Sequence, residues 1–211
     1  MNAAPRPRDA ERSRRAILEA ALAEFSDHGE DGARIDRVAA RAGLSKPLIY
    51  AYFGDKRALY AAALREAYVQ IREGERALRL DDLPPEQAVR TLVDFTLEHF
   101  RRNPWFIRML NTENLRGGGA IRDMKDLPEL HSPLVGGLRR ILERGAAAGV
   151  FRPGMDPVQL YLSIAGLFYF PISNAHTLGV VFGARVEDED WLRARRDHVR
   201  EMIARYLKPE A

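Results

Sequence analysis

Apolar residues recur three and four positions apart along most of the chain, which is the spacing of an α-helix with one buried face. In the first part of the chain, Gly29, Gly43 and Gly54 interrupt this spacing and predict where helices end. Ser45 and Asp55 are expected to cap the helices that follow Gly43 and Gly54. The elements predicted there are a flexible arm over 1–8 and helices over 9–28, Ile35–Ala42, 45–53 and 56–78.

The same period continues through the rest of the chain, where prolines and glycines divide it. The first helix predicted there begins at Pro84 or Pro85. The predicted helices cover about 85–100, 105–115, 120–148, 156–178 and 188–207. Pro128 and Pro133 interrupt the third of these helices. No segment alternates polar and apolar residues between hairpin turns, so the pattern predicts an all-α protein.

Composition narrows the class of protein. The 211 residues are 46% hydrophobic, enough for a packed core, and they include no cysteine, which excludes disulfides and thiolate zinc sites. No apolar run reaches the ~20 residues of a membrane span and no signal peptide precedes the first helix, so a cytoplasmic protein without a membrane partner is expected. Residues 1–15 carry a local net charge of +3, from five arginines against two acids, which indicates phosphate contact or an ordinary solvated tail.

The segment 33–53 meets the requirements of a helix-turn-helix. Two short helices meet at Gly43, which can take the left-handed conformation that a tight turn needs. The small side chain of Ala39 lets the helices approach, and Leu44 and Ile49 hold the pair against the core. The alternative is a simple helical corner, in which Tyr50 and Tyr52 are packing residues.

The face of the second short helix that is left after the core positions are assigned suits DNA. Hydroxyl, ammonium and phenol groups bind phosphate oxygens, a lysine also reaches guanine, and methyl groups contact thymine. The residues predicted to contact DNA are Arg34, Ser45, Lys46, Pro47, Leu48, Tyr50, Ala51, Tyr52 and Lys56.

The stretch from Ile17 to Leu59 resembles the TetR family of bacterial transcriptional regulators over about 45 residues. The resemblance is carried by the run VAARAGLSKPLIYAYFGDKRAL and by Ala20, Phe25, Gly29 and Ile35. Two positions depart from the family pattern: Arg34 stands where a threonine usually caps the helix, and Leu48 stands where a polar or small residue is usual.

This resemblance implies an organisation and a mechanism. It implies an N-terminal three-helix helix-turn-helix domain over 1–56 and a C-terminal helical ligand-binding and dimerisation domain over 57–211. It also implies a homodimer that places two recognition helices in successive major grooves of a near-palindromic, double-stranded DNA operator. A small-molecule effector in the C-terminal domain would then shift the population away from the DNA-binding state. A regulator that responds to a partner protein stays open as an alternative.

The C-terminal region carries a looser resemblance to one branch of the family's ligand domains, and it predicts a pocket of aromatic side chains with a few polar groups. The predicted lining residues are Phe95, His99, Phe106, Met109, Leu110, Glu113, Asn114, Phe168, Tyr169 and Ile172. The alternative is that the aromatic residues are ordinary core. Glu113 and Asn114 need a polar partner, which could be a ligand, a side chain or water.

The last two predicted helices are expected to form the dimer interface as a four-helix contact. The apolar faces assigned to that interface consist of Leu160, Ile164, Leu167 and Phe168 on one helix and Leu192, Val199, Ile203 and Tyr206 on the other.

Two other functions are possible for a chain of this kind, an enzyme and a protein-binding module. No histidine forms a metal-ligand pair with a second residue, and the chain contains no G-x-S-x-G, P-loop or G-x-G-x-x-G motif. An enzyme is therefore not predicted, and neither is a catalytic residue, a metal or a cofactor. The other rival is a protein-binding module built on the same helical corner, which would lack the steep salt dependence of DNA binding.

Overall fold

The computed structural model describes residues 7–209, and this part of the chain folds into helices without a β-strand. The sequence therefore predicted the all-α class correctly. The helices are α1 (Pro7–Gly32), α2 (Ile35–Ala42), α3 (Lys46–Phe53), α4 (Lys56–Ala77), α5 (Pro85–Arg102), α6 (Pro104–Leu115), α7 (Gly119–Asp123), α8 (Leu127–Ala147), α9 (Pro157–Ser173), α10 (Ala175–Phe182) and α11 (Glu189–Leu207). A short 3₁₀ turn, Leu80–Asp82, lies between α4 and α5.

The helices form two compact units. Unit 1 consists of residues up to 70 together with 108–127, and unit 2 consists of 71–107 together with the chain from 128 onward. The functional boundary that the sequence suggested, at residue 56, stays a prediction.

In unit 1, α1 begins at Pro7, and residues 1–6 of the predicted arm lie outside the described residues. Its buried stripe includes Ile17 and Phe25, and the Phe25 ring meets the Tyr60 ring edge-on at 5.1 Å between centroids. Gly29 breaks the helical geometry with φ 66° and ψ 178°, at the position where the sequence predicted the helix to end, although helical hydrogen bonding resumes as far as Gly32. This break separates the main part of α1 from the chain that leads into α2.

The turn between α2 and α3 is built by Gly43, which has the left-handed φ of 65° and ψ of 28°. The amide of Leu44 donates to the carbonyl of Ala39 at 3.1 Å, which closes the turn. Ile49 and Val38 are buried in the core of unit 1. The helix-turn-helix geometry predicted from the sequence is therefore present.

In unit 2, the single helix predicted over 156–178 is two helices, α9 and α10, which are bent by 71°. Pro171, in the last turn of α9, has no N–H to donate to the carbonyl of Leu167. Nε and Nη2 of Arg195, on α11, donate to that carbonyl instead, at 3.0 and 2.6 Å. The prediction of one helix was wrong because proline removes a hydrogen bond that a continuous helix needs.

No single helix between residues 7 and 209 is long and apolar enough to cross a membrane. The bent pair α9 and α10 meets the length and composition limits only when the two helices are taken together.

The apolar faces assigned to a dimer interface lie mostly inside unit 2. Leu160, Ile164 and Phe168 have no exposed surface, and Val199 on α11 is also fully buried. The assignment of these four side chains to an interface was wrong, as was that of Leu192 and Ile203, because a side chain that is buried within one chain has no surface left to cover a partner. Leu167 and Tyr206 keep exposed surface, and their place in an interface stays a prediction.

Candidate nucleic-acid interface

Helix α3 has one face in the core of unit 1 and another in solvent. Ile49 and Phe53, four residues apart, are buried. Lys46, Pro47 and Tyr50 are exposed, and so is Ala51. Since residues three and four apart share one side of a helix, these four side chains form one continuous exposed face. We call this set, together with Ser45, the α3 face.

Ser45 precedes α3 as its N-cap in an extended conformation, with φ −81° and ψ 147°. Its side chain accepts no capping hydrogen bond, although the sequence predicted a good N-cap. The exposed hydroxyl is therefore not engaged in holding the helix end, and it remains at the start of the α3 face.

Lys46 forms an ion pair with Asp36 of α2, with 3.0 Å between Nζ and Oδ1. The hydrogen bond from the ammonium to this carboxylate, with the added attraction of its charge, raises the pKa of Lys46 above its ordinary value. The pair joins the two helices of the motif at their exposed side, and the lysine stays charged.

Lys56 lies at the first position of α4 and is half-buried. Its Nζ donates to the carbonyl of Asp31 at 3.1 Å. Asp55 caps the same helix, since its Oδ1 accepts from the amide of Ala58 at 2.7 Å. The sequence predicted this cap, but a carboxylate at the helix start competes with a phosphate for the same amides.

Arg34 is the N-cap residue of α2, and its side chain is exposed and makes no capping bond. The cap is supplied by Glu24 of α1, whose Oε1 accepts from the Arg34 amide at 3.0 Å and lies 3.4 Å from Nη1 of Arg37. Only 1% of Glu24 is exposed. Sequence reasoning missed this residue, although an acidic residue next to Phe25 on a buried stripe was a signal for it.

Leu48 and Tyr52, the two remaining residues predicted to contact DNA, are half-buried. The ring of Tyr52 lies 6.4 Å from that of Phe53, between centroids. These two side chains therefore border the α3 face and are partly engaged in packing.

Four of the residues predicted to line a ligand pocket belong to unit 1: Met109, Leu110, Glu113 and Asn114. Glu113 is buried, its Oε2 accepts from the Tyr60 hydroxyl at 3.0 Å, and its Oε1 accepts from the amides of Ala120 and Ile121 at 2.7 and 3.2 Å. Asn114 is exposed and donates to the carbonyl of Leu110 at 2.8 Å. The polar partners that the sequence left open are thus protein groups.

The other six belong to unit 2: Phe95, His99, Phe106, Phe168, Tyr169 and Ile172. The ring of His99 lies 5.6 Å from that of Phe95 and meets that of Phe106 edge-on at 5.3 Å. Burial, with a smaller effect from the charge of Arg72, lowers the pKa of His99 to about 4. His99 is therefore neutral at pH 7, and its Nε2 has no hydrogen-bond partner among the described residues.

Comparison with known proteins identifies the family to which this helical chain belongs. The family model for bacterial regulatory proteins of the tetR family matches residues 17–63, and the model for the tetracyclin repressor-like C-terminal domain matches residues 85–203. The chain belongs to the TetR family of bacterial transcriptional regulators. This TetR-family chain is therefore a DNA-binding transcriptional regulator and not an enzyme.

Curated relatives of this TetR regulator are similar over most of their length. The HTH-type transcriptional repressor NicS of Pseudomonas putida is 40% identical over 191 residues, which cover 89% of this chain and 90% of NicS. The HTH-type transcriptional regulator RutR of Escherichia coli is 30% identical over 210 residues, which cover 97% of this chain and 94% of RutR.

Solved structures share the fold of this TetR regulator. SCO4942 from Streptomyces coelicolor superposes with a TM-score of 0.69 at 25% identity, over 93% of this chain and 99% of SCO4942. The regulator FadR from Bacillus subtilis, in complex with stearoyl-CoA, has a TM-score of 0.69 at 16% identity, over 92% of this chain and 99% of FadR.

Proposed function

We propose that this protein is a ligand-responsive repressor that binds a palindromic operator as a homodimer. In this proposal residues 1–56 bind DNA, and residues 57–211 carry the effector site and the dimer interface. The protein acts in the cytoplasm, where the bacterial chromosome lies. The observation that carries the proposal is the α3 face, which presents polar and methyl groups to solvent while Ile49 and Phe53 fix the helix from behind.

The chemistry of the α3 face supports contact with both the backbone and the bases of DNA. Ser45, Lys46 and Tyr50 offer donors to phosphate oxygens, and Lys46 also reaches the acceptors of guanine. Ala51 offers a methyl group to thymine. We propose repression because NicS, a relative that is 40% identical, is a transcriptional repressor.

We place the dimer interface on a different face of α9 from the one that was predicted from the sequence. Val158, Leu162, Gly166 and Phe170 follow one another at four-residue intervals and are all exposed. Val180, Val181 and Phe182 of α10 are exposed as well. Contiguous exposed apolar surface marks an interaction site in soluble proteins, and the same patch on two copies makes a symmetric contact.

Operator binding is tested by fluorescence anisotropy with labelled DNA from upstream of the protein's own gene. We expect Tyr50→Ala to weaken binding on all sequences, and Lys46→Ala to weaken binding and to alter base preference. Lys56→Ala tests the other lysine that was predicted to contact DNA. Lys125→Ala, an exposed lysine outside α2 and α3, is the matched control. A wild-type protein that binds no fragment at low salt would refute the proposal.

The dimer is tested by sedimentation velocity of Gly166→Leu. Gly166 is exposed, and a Cβ atom added there meets no atom of the described residues within 4 Å, so we expect the monomer to accommodate the larger side chain. We expect the variant to sediment as a monomer at micromolar concentration with an unchanged far-ultraviolet circular dichroism spectrum. Ser132→Leu, at an exposed position on α8, is the control. Dimers of equal stability in wild type and Gly166→Leu would exclude this face.

A further inference from the structure

Unit 2 contains a cavity of about 220 Å³ beside the C-terminal half of α4. Its apolar wall includes Leu134, Leu138 and Ile141 of α8. Arg72 and Glu75 of α4 line it as well. None of the ten residues predicted from the sequence to bind a ligand lines this cavity. A space of this size, with an apolar wall and a few polar groups, suits a small organic molecule.

Arg72 and Glu75 are buried but incompletely hydrogen bonded. Their side chains are 3% and 4% exposed, and Nη1 of Arg72 lies 2.8 Å from Oε2 of Glu75. The contact lacks hydrogen-bond geometry, so Nε and Nη1 of Arg72 and both oxygens of Glu75 have no hydrogen-bond partner among the described residues. Two donors therefore lie beside two acceptors, all shielded from bulk water.

The third guanidinium nitrogen of Arg72, Nη2, is held in place by a side chain of α9. Nη2 donates to the hydroxyl of Tyr161 at 2.5 Å, and the guanidinium carbon lies 5.1 Å from the centre of the Tyr161 ring. The arginine is thus oriented, while its Nε has no hydrogen-bond acceptor and its Nη1 meets Oε2 of Glu75 without hydrogen-bond geometry. Because buried polar groups in folded proteins are almost always hydrogen bonded, the orphaned atoms indicate a missing partner.

The charges around the cavity limit the class of that partner. At the rim, Arg140 pairs with Asp81, Arg79 pairs with Asp82 at 2.6 Å, and Arg76 is exposed to solvent, where water screens its charge. In the interior the single positive charge of Arg72 faces the single negative charge of Glu75. A ligand carboxylate would be repelled by Glu75 and a ligand ammonium by Arg72, whereas an uncharged molecule with both an acceptor and a donor satisfies the pair.

We propose that this cavity binds a small uncharged molecule with a primary or secondary amide group, whose carbonyl oxygen accepts from Arg72 and whose N–H donates to Glu75. The apolar part of the molecule packs against Leu134, Leu138 and Ile141. The inference rests on the proposed function only in identifying this molecule as the effector. Burial, against the opposing effect of Arg72, raises the pKa of Glu75 to about 7. Binding is therefore measured at about pH 8.5, where Glu75 carries its negative charge.

The test uses four probes of similar shape that differ in their polar group: benzamide, benzoate, benzamidine and acetophenone. Binding to the full chain without DNA is measured by calorimetry and by the shift in melting temperature. We expect benzamide to bind most tightly and to raise the melting temperature by about 3–6 °C at roughly ten times its Kd. Benzoate, benzamidine and acetophenone are expected to bind at least about tenfold more weakly, a difference of about 1.4 kcal/mol.

Two variants separate ligand recognition from folding. Arg72→Met is expected to weaken benzamide binding at least about tenfold. Glu75→Gln removes the repelling charge and supplies a donor, so benzoate is expected to bind about tenfold more tightly than to wild type. This change in preference is not produced by a loss of stability. Arg139→Met replaces an exposed arginine of α8 outside the cavity lining and is the matched control.

Three results would overturn the inference. They are the absence of binding by all four probes, tighter binding of benzoate than of benzamide to wild type, and equal benzamide binding by wild type and Arg72→Met. Operator binding is measured separately with labelled DNA. A failure of the inference therefore leaves the repressor function standing, and a failure of operator binding leaves the ligand measurement intact.

Discussion

Replacing Tyr60 by phenylalanine removes one oxygen atom from the core of unit 1. The Tyr60 hydroxyl donates to Oε2 of Glu113 at 3.0 Å, and both residues are buried. Burial, together with the hydrogen bond to Glu113 and its charge, raises the pKa of Tyr60 above its ordinary value, so the hydroxyl remains a donor at every pH in ordinary use. The variant retains the ring and hence the edge-on contact with Phe25.

The expected loss is that of one hydrogen bond to a buried carboxylate. Bonds to charged groups contribute about 1.5–3 kcal/mol, and an oxygen left buried without a donor makes the loss fall at the upper end of that range. The amides of Ala120 and Ile121 still donate to the other oxygen of Glu113. For a chain of this length, the corresponding decrease in melting temperature is about 3–12 °C.

The assay is urea denaturation followed by far-ultraviolet circular dichroism, with hydrogen exchange of the Ala120 and Ile121 amides as a probe inside unit 1. Tyr50→Phe removes the same atom from an exposed tyrosine and is expected to change the free energy of unfolding by less than about 0.5 kcal/mol. If Tyr60→Phe also changed the free energy of unfolding by less than about 0.5 kcal/mol, Glu113 would not be held by Tyr60. It would then again be a candidate contact for a ligand, as the sequence suggested.

Three further predictions concern packing, titration and helix capping. Gly145→Ala is expected to destabilise unit 2 by about 1–3 kcal/mol in urea denaturation, because the added methyl group would overlap the ring of Phe151; an unchanged midpoint would contradict this packing. His99 has a folded pKa below its unfolded value, so its contribution to stability is present above about pH 6.5 and is lost as the pH falls toward 4. Wild type should therefore lose about 2 kcal/mol more than His99→Gln between about pH 7 and about pH 5, and parallel pH profiles would exclude this. Asp55→Ala is expected to cost about 0.5–2 kcal/mol and Ser45→Ala almost nothing in thermal denaturation, since only Asp55 makes a capping bond; equal losses would refute the assignment.

The features that the sequence predicted correctly depend on local chemistry. Gly43 determines the turn through its own backbone freedom, and Asp55 caps α4 by bonding to an amide three residues away. The exposed side of α3 follows from the positions of Ile49 and Phe53 alone. These features involve residues within one or two helical turns, where a pattern contains the necessary information.

The features that escaped prediction depend on partners that are distant in sequence. Glu24 bonds to Arg34, ten positions away, and Arg72 contacts Tyr161, which is 89 positions away. To predict the break after α9, two facts were needed together: Pro171 has no N–H, and Arg195 of α11 donates to the carbonyl that this N–H would have reached. Periodicity assigns a residue to a buried side, but it does not identify the group that the residue meets there.

The pairing of Lys46 with Asp36 has a consequence for how the affinity for DNA changes with salt. In the proposed DNA complex, Lys46 moves from Asp36 to a phosphate, so the lysine exchanges one anion for another, and the released carboxylate recruits a cation from the solution. The cation that leaves the DNA is thereby balanced by the cation that gathers at Asp36. Each phosphate that is contacted by a lysine or arginine without a previous ion pair contributes about −0.9 to the salt slope, whereas the contact of Lys46 contributes almost nothing. The number of phosphates counted from a salt titration will therefore be smaller than the number that the protein touches.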